Sequence, residues 1–248
     1  MKRLLLAAAV LAIGASAWAA PIVSDRFEYN EGALAGNGSA GGGWGGGWTD
    51  GGTVSAGSFA YGALPVAGNH VTVTSGTPAW RLLDAMYAPT SGSLWVSFTC
   101  RGYSETGWSG VSFFEGGDER MFMGMPGLSP TWGIHLYEWT TQERILSNDL
   151  VDMTIRFFVA RFDYNGTGDT AVTLWIDPAV SPTPPSDASA EGTSARTAMQ
   201  FDRIRIAGDR DCEYDELRLG TSWADVVPEP ATLALVALGG LALIRRRR

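Results

Sequence analysis

Residues 93–100 read Ser-Leu-Trp-Val-Ser-Phe-Thr-Cys. In an extended chain successive side chains point to opposite faces, so Leu94, Val96, Phe98 and Cys100 share one side. This is a period of two, the mark of a strand rather than a helix. The same beat recurs along the chain. Val71 and Val73 alternate with Thr72 and Thr74, and Ile155, Phe157 and Val159 share a face. So do Val172, Leu174 and Ile176, and so do Leu217 and Leu219. Ile204 and Ile206 alternate with Arg203 and Arg205. Shorter candidates lie at Arg26–Tyr29, Trp80–Leu83, Val111–Glu115, Arg120–Gly124 and Trp132–Tyr137. With Gly, Asn, Pro and Ser between them, these make about a dozen strands. Beyond one turn near Ser222–Val226, no stretch between residues 21 and 226 has helical periodicity. The predicted fold class is all-β, an antiparallel two-sheet sandwich.

Two stretches break the rhythm. Asp177–Thr197 is rich in Pro, Ser, Ala and Thr, and too few strands follow it to build a second domain. It is read as a long surface loop inside one domain. Residues 41–52, GGGWGGGWTDGG, hold eight glycines in twelve positions. Trp44 and Trp48 are four apart and face the same side of a strand. They could form a stacking platform for sugar, but two indoles packed on the sandwich is the favoured reading.

Both ends read as addresses. Lys2 and Arg3 precede the apolar run Leu4–Ile13, and Ala17-Trp18-Ala19 supplies small residues for signal peptidase. Residues 1–20 are therefore predicted to be a signal helix removed after Ala19 or Ala20. The whole chain carries 18 basic and 26 acidic residues, a net charge of −8. Setting aside Lys2, Arg3 and Arg245–Arg248 leaves 12 basic against 26 acidic, a net of −14. So acidic a domain repels nucleic acid and anionic membrane surface. Cys100 and Cys212 both fall in the exported part, where thiols can oxidise. Whether they form a bridge or stay as two buried thiols is left open by the sequence.

The chain closes with Val227-Pro228-Glu229-Pro230, the apolar stretch Ala231–Ile244, and Arg245, Arg246, Arg247 and Arg248. Two prolines keep the tripeptide extended. A helix over the 14 residues of Ala231–Ile244 would rise about 21 Å, against a hydrocarbon core of about 30 Å. The arginines would hold that end in the cytoplasm and act as a membrane stop. Tripeptide, short hydrophobic helix and basic end, in this order, resemble the PEP-CTERM sorting signal. That resemblance implies recognition by an exosortase and transient anchoring in the inner membrane of a Gram-negative bacterium. It further implies removal of the tail and release to the cell surface or an exopolysaccharide matrix.

The region between the ends resembles the LamG-like, concanavalin A-like jelly rolls carried by PEP-CTERM proteins. The resembling pieces run in order: GGWGGGW, SFFEGGDERMFMGMPG with TWGIHLY, RFDYNGTGDTAVTLWIDP, FDRIRI and YDELRLGTSWADV. The resemblance implies a jelly roll over residues 21–226 but no single activity. Laminarinase-like glucanases of this fold carry Glu-x-Asp-x-Glu or Glu-x-Asp-x-x-Glu on one strand. The nearest stretch here is Glu213-Tyr214-Asp215-Glu216. Leu217 and Arg218 stand where the third carboxylate belongs, and Glu216 is expected to point away from Asp215. A serine triad would need His70 or His135, both in strands, and no Gly-x-Ser-x-Gly elbow occurs. No catalytic residue is therefore assigned. Asp163, Asn165 and Asp169 place oxygens at alternate positions that could hold calcium, but a hairpin turn explains them better. The resulting expectation is a non-enzymatic surface or matrix protein in a structural or interaction role. The alternative is a lectin-like module using Trp44, Trp48, Trp95 or Trp108, and a glycoside hydrolase is less favoured.

Overall fold

The computed structural model describes residues 21–102, 107–127, 130–137, 142–195 and 199–228. The signal segment 1–20, Glu229, Pro230, the stretch 231–244 and Arg245–Arg248 lie outside the described residues. Two antiparallel sheets face each other. The nine-stranded sheet runs β14 (Ala190–Ser194), β13 (Thr170–Ile176), β12 (Arg156–Tyr164), β7 (Gly92–Gly102), β16 (Cys212–Gly220), β5 (His70–Val73), β4 (Thr53–Ser55) and β2 (Gly32–Ala33), with β1 (Val23–Asp25) also on β16. The seven-stranded sheet runs β11 (Gln142–Leu150), β10 (Thr131–Tyr137), β9 (Asp118–Pro126), β8 (Trp108–Glu115), β15 (Phe201–Gly208), β6 (Ala79–Tyr87) and β3 (Thr49–Asp50). Strands distant in sequence lie side by side, β7 with β16 and β8 with β15, as in a jelly roll. The fold is the sandwich the alternation predicts.

The residues that set the beat fill the space between the sheets. Leu94, Val96 and Phe98 from β7 are fully buried with Val111, Phe113, Met121, Met123, Ile134, Ile204 and Ile206 from the opposite sheet. The glycine-rich segment joins this core. Trp44 and Trp48 are 3 % and 1 % exposed. The Trp48 indole N–H donates to Asp25 Oδ2 at 2.7 Å, and that of Trp44 to the Ser24 carbonyl at 3.0 Å. The Arg81 guanidinium lies 4.1 Å over the Trp44 ring and pairs with Asp25. Glycine is required here by close approach, since a Cβ at Gly45 would press on the Leu83 carbonyl carbon and oxygen. A sugar has no access to either indole, so the stacking-platform reading of Trp44 and Trp48 is set aside.

Three expectations change. Arg26–Tyr29 is not a strand: Asp25 Oδ1 accepts the Phe27 N–H at 2.9 Å, and Phe27 turns to φ 48°. Residues 190–194, read as loop, form edge strand β14 on β13. An edge strand needs one partner only, so its sequence lacks the hydrophobic beat. Strand β11 was also unmarked. Cys100 and Cys212 are buried free thiols on neighbouring strands, offset by two positions: Cys100 lies opposite Tyr214 and Cys212 opposite Gly102.

The outer face of the nine-stranded sheet is covered as well. Helix α1 (Trp223–Val226), residues 56–68 and residues 178–189 lie over Trp95, Phe157, Val159 and Trp175. The Trp95 and Trp175 rings stack at 5.6 Å, with Trp223 edge-on to both. The proline-rich loop is pinned by the Trp175 and Trp223 indole N–H groups, which donate to the Pro185 and Ser181 carbonyls at 3.1 and 2.7 Å.

Candidate functional site on the seven-stranded sheet

The outer face of the seven-stranded sheet carries the candidate site. Because β8, β9, β10 and β15 send one set of side chains to the core, the alternate set faces out. In register these are Arg205, Ser112, Phe122 and His135 in one row, with Trp108 opposite Pro126 in another. A register shift after Phe113 places Glu119 rather than Arg120 opposite Phe114, which brings Glu119 to this face. Between the rows run Gly110, Gly124 and Gly133, side by side on three strands. A Cβ at Gly110 would meet the Met123 carbonyl and the Phe122 ring, so the glycine makes room for that ring to lie flat.

The result is a cavity of about 280 Å³ lined by Trp108, Glu119, Phe122, Pro126, Tyr137 and Arg205. Arg205 is its centre. Its guanidinium carbon lies 4.7 Å from the Phe114 ring centre, 5.2 Å from Trp108 and 5.4 Å from Trp80. Nη2 donates to Ser112 Oγ at 2.9 Å and to Glu119 Oε1 at 2.8 Å, while the buried Nε has no partner. Burial lowers the Arg205 pKa, opposed by Glu119. Burial pushes the Tyr137 hydroxyl up to about 12, with the Glu119 charge adding. His135 is held down at about 4 by burial and then by the Arg144 charge. Its Nδ1 lies 3.4 Å from the Tyr137 hydroxyl, and its Nε2 is buried without a partner. The lining thus offers aromatic rings, a planar cationic donor, a carboxylate acceptor and a neutral phenol, with the two charges offsetting one another. Most of the accessible lining is polar, with the Trp108 and Tyr137 rings beside it, and fixed polar groups of this kind orient a small ligand.

The residues singled out by sequence fall elsewhere, with one exception. Of the four tryptophans, Trp108 lines the cavity, while Trp44, Trp48 and Trp95 are buried. Asp163 receives Ser93 Oγ at 2.5 Å and Arg161 Nε at 2.8 Å. Asn165 Oδ1 accepts the Thr167 and Gly168 N–H groups at 3.0 and 2.6 Å, which closes the β12–β13 hairpin. The Asn165 oxygen is spent on the turn and Asp163 Oδ1 on the side chains of Ser93 and Arg161, and among the described residues no cluster of His, Cys, Asp and Glu suited to a metal occurs. Glu213, Asp215 and Glu216 are buried under residues 56–68. Glu213 pairs with Arg101, and Asp215 accepts Ser58 Oγ and, at 2.8 Å, the Phe59 N–H. Glu216 does not point away as expected. At φ 54° it forms a bulge and turns back onto Arg218 and the Ala67 N–H, on the same side as Asp215. The sequence reading missed Arg205, Glu119, Phe122 and Tyr137. The signal that could have found Arg205 and Tyr137 is the outward half of the same alternation: Arg203 and Arg205 alternate with Ile204 and Ile206, and His135 and Tyr137 with Ile134 and Leu136.

The fold and its covered back face define a jelly roll carrying a C-terminal extension. Residues 226–248 match the family model of the PEP-CTERM protein-sorting motif. The chain therefore carries an export-sorting signal that implies transient membrane anchoring. Among the described residues no helix is long and apolar enough to cross a membrane, and the stretch 231–244 lies outside them. Among solved structures, the T. cruzi calreticulin globular domain is similar at 11 % identity and a TM-score of 0.50, over 90 % of this chain and 94 % of that one. The botulinum neurotoxin serotype D binding domain is similar at 11 % identity and a TM-score of 0.52, over 89 % of this chain and 51 % of that one. The chain thus spans about half of the latter. At such identity the likeness is one of fold. No curated protein matches the chain in sequence.

Proposed function

We propose that this chain is an exported, non-enzymatic glycan-binding module, processed at its tail by an exosortase and displayed at the cell surface or in an exopolysaccharide matrix. The observation that carries the reading is the cavity around Arg205. Its volume of about 280 Å³ is near the lower bound for ligand pockets, suited to a single sugar ring. Trp108 and Tyr137, both partly exposed, offer ring surface to the C–H face of a pyranose. Arg205 and Glu119 offer a donor and an acceptor to neighbouring hydroxyls. The lining argues against a two-carboxylate glycosidase: among the described lining residues only Glu119 is a carboxylate, and it is tied to Arg205. Glycosidases of the two-carboxylate kind need a second, about 5–9 Å away.

The test is titration of the purified protein with a panel of neutral and uronic-acid polysaccharides, followed by tryptophan fluorescence, with calcium and with chelator. Saturable binding that Trp108→Ala weakens at least about tenfold, the effect of losing about 1.4 kcal/mol of stacking, supports the reading. No binding to any glycan, or binding that Trp108→Ala leaves unchanged, overturns it. Release of sugar products would overturn the non-enzymatic assignment.

A further inference from the structure

The packed core runs into the sorting motif. Val226 and Val227 fall inside the matched motif, yet both are buried in the cluster with Trp95, Trp175 and Trp223. The Val226 carbonyl accepts Ser97 Oγ at 2.7 Å, and the Val227 N–H donates to the Trp223 carbonyl at 2.8 Å. Pro228, the first residue of the tripeptide, is half-buried. From Val227 to Ala231 there are four residue steps, which reach at most about 14 Å. The headgroup layer of one leaflet takes up about 5–8 Å of that. Once the tail is inserted, the surface around Pro228 stands at most about 6–9 Å clear of the headgroups.

That surface is unlike the rest of the protein. It is built from residues 56–68, AGSFAYGALPVAG, and residues 178–186, PAVSPTPPS, neither of which contains a charged residue. The two segments meet where the Tyr61 hydroxyl donates to the Pro178 carbonyl at 3.2 Å, and both pack on the cluster holding Val226 and Val227. Ala60, Ala63, Ala179, Pro182, Thr183 and Pro184 are exposed on it. Charged residues mark its rim: Arg26 on the Pro65 carbonyl, Glu28 against Gly68, and Asp177, paired with Arg156, and Asp187 at the two ends of the second segment. In a domain of net charge −14, turning these two uncharged segments beside the tail to the lipid lessens the carboxylate charge set against an anionic leaflet.

We propose that this uncharged face rests on the bilayer that the chain's own tail enters. The proposal depends on the reading of residues 231–244 as a membrane-inserting segment, and it adds which side of the sandwich meets the lipid. The seven-stranded sheet with its cavity then opens away from the membrane.

The experiment uses the full chain reconstituted into phosphatidylethanolamine–phosphatidylglycerol vesicles carrying a nitroxide on some headgroups. Ala63→Cys on the uncharged face and Leu82→Cys on the outer face of β6 are labelled separately with a small fluorophore. Cys100 and Cys212 are buried and stay unlabelled in the folded protein. Both positions are exposed, so the labels disturb no packing. The two sheets alone separate the faces by about 10 Å, so quenching at Ala63 should be at least about twice that at Leu82. A chain that floats with the vesicles but is quenched equally at both positions, or more at Leu82, overturns the docking face and leaves the tail intact. A chain that does not float overturns the tail's insertion, and the docking face falls with it.

Discussion

Replacing His135 by Gln changes the pH dependence of folding in a direction that two buried groups fix. His135, on β10, is 2 % exposed, and burial with the Arg144 charge holds it at about 4. An unfolded His titrates near 6.5. Between those values the unfolded chain binds a proton that the folded one lacks, so stability rises with pH by about 1.4 kcal/mol per unit. Asp215, on β16, is fully buried, and burial, with the Glu216 charge adding, outweighs its hydrogen-bond donors and raises it to about 7. An unfolded Asp titrates near 3.9. Its contribution is full below that value and lost as pH rises through 7, at the same slope with the opposite sign. The two effects cancel across their shared window. His135→Gln removes the first, so between pH 6.5 and 4 the variant gains about 3 kcal/mol relative to the parent. Asp215→Asn shifts the other way, losing about 4 kcal/mol relative to the parent between pH 7 and 4. Urea unfolding followed by tryptophan fluorescence at several pH values reads both. With a slope of about 2–3 kcal/mol per molar urea, the relative midpoints move by about 1 M or more. If the His135→Gln midpoint tracks the parent within about 0.3 M across that window, His135 is not desolvated in the folded state and the reasoning fails.

Three further outcomes are expected. Arg81→Met leaves Asp25 buried without its cation and strips donors from the Gly46 and Ser39 carbonyls. It should cost about 3–5 kcal/mol in the same urea assay. Gly110→Ala forces a Cβ onto the Met123 carbonyl and the Phe122 ring, and should cost at least about 1–3 kcal/mol with loss of ligand binding. Glu119→Gln keeps an acceptor but removes the charge facing Arg205, and should raise the affinity for uronate over neutral glycans, read by the ratio of dissociation constants.

The sandwich was legible because its core strands obey one rule. Leu94 to Cys100 and Ile204 to Ile206 declare both strand and face, since Ser97, Thr99, Arg203 and Arg205 set polar residues against the apolar ones. The rule fails where both sides are covered or only one neighbour is needed. Trp95 and Trp175 sit on the outward half of their strands yet are buried by the proline-rich loop. Edge strands β11 and β14 show no beat. The cavity was hidden for another reason. Arg205, Glu119, Phe122 and Tyr137 come from three strands, and a register shift at Phe113 decides that Glu119 joins them. A one-residue shift is invisible in composition but exchanges the two faces of a strand. The tail, by contrast, is contiguous, and a linear signal is read from a linear sequence.

Processing must also respect the place where motif and core overlap. Trp223, Val226 and Val227 are buried against Trp95 and Trp175, and burying each such side chain contributes roughly 1.5–3 kcal/mol. A cut inside residues 221–227 would therefore remove several kcal/mol and open the back face, whereas a cut at or beyond Pro228 removes nothing from the core. A chain ending at Val227 should unfold at the same urea concentration as one ending at Pro228. A chain ending at Gly220 should unfold earlier by about 2 M, with the Trp95–Trp175 stack exposed to an aqueous quencher. Equal midpoints for all three would mean that residues 223–227 merely lie on the sheet. The sorting motif would then be joined to the domain by a free segment rather than fixed to its face.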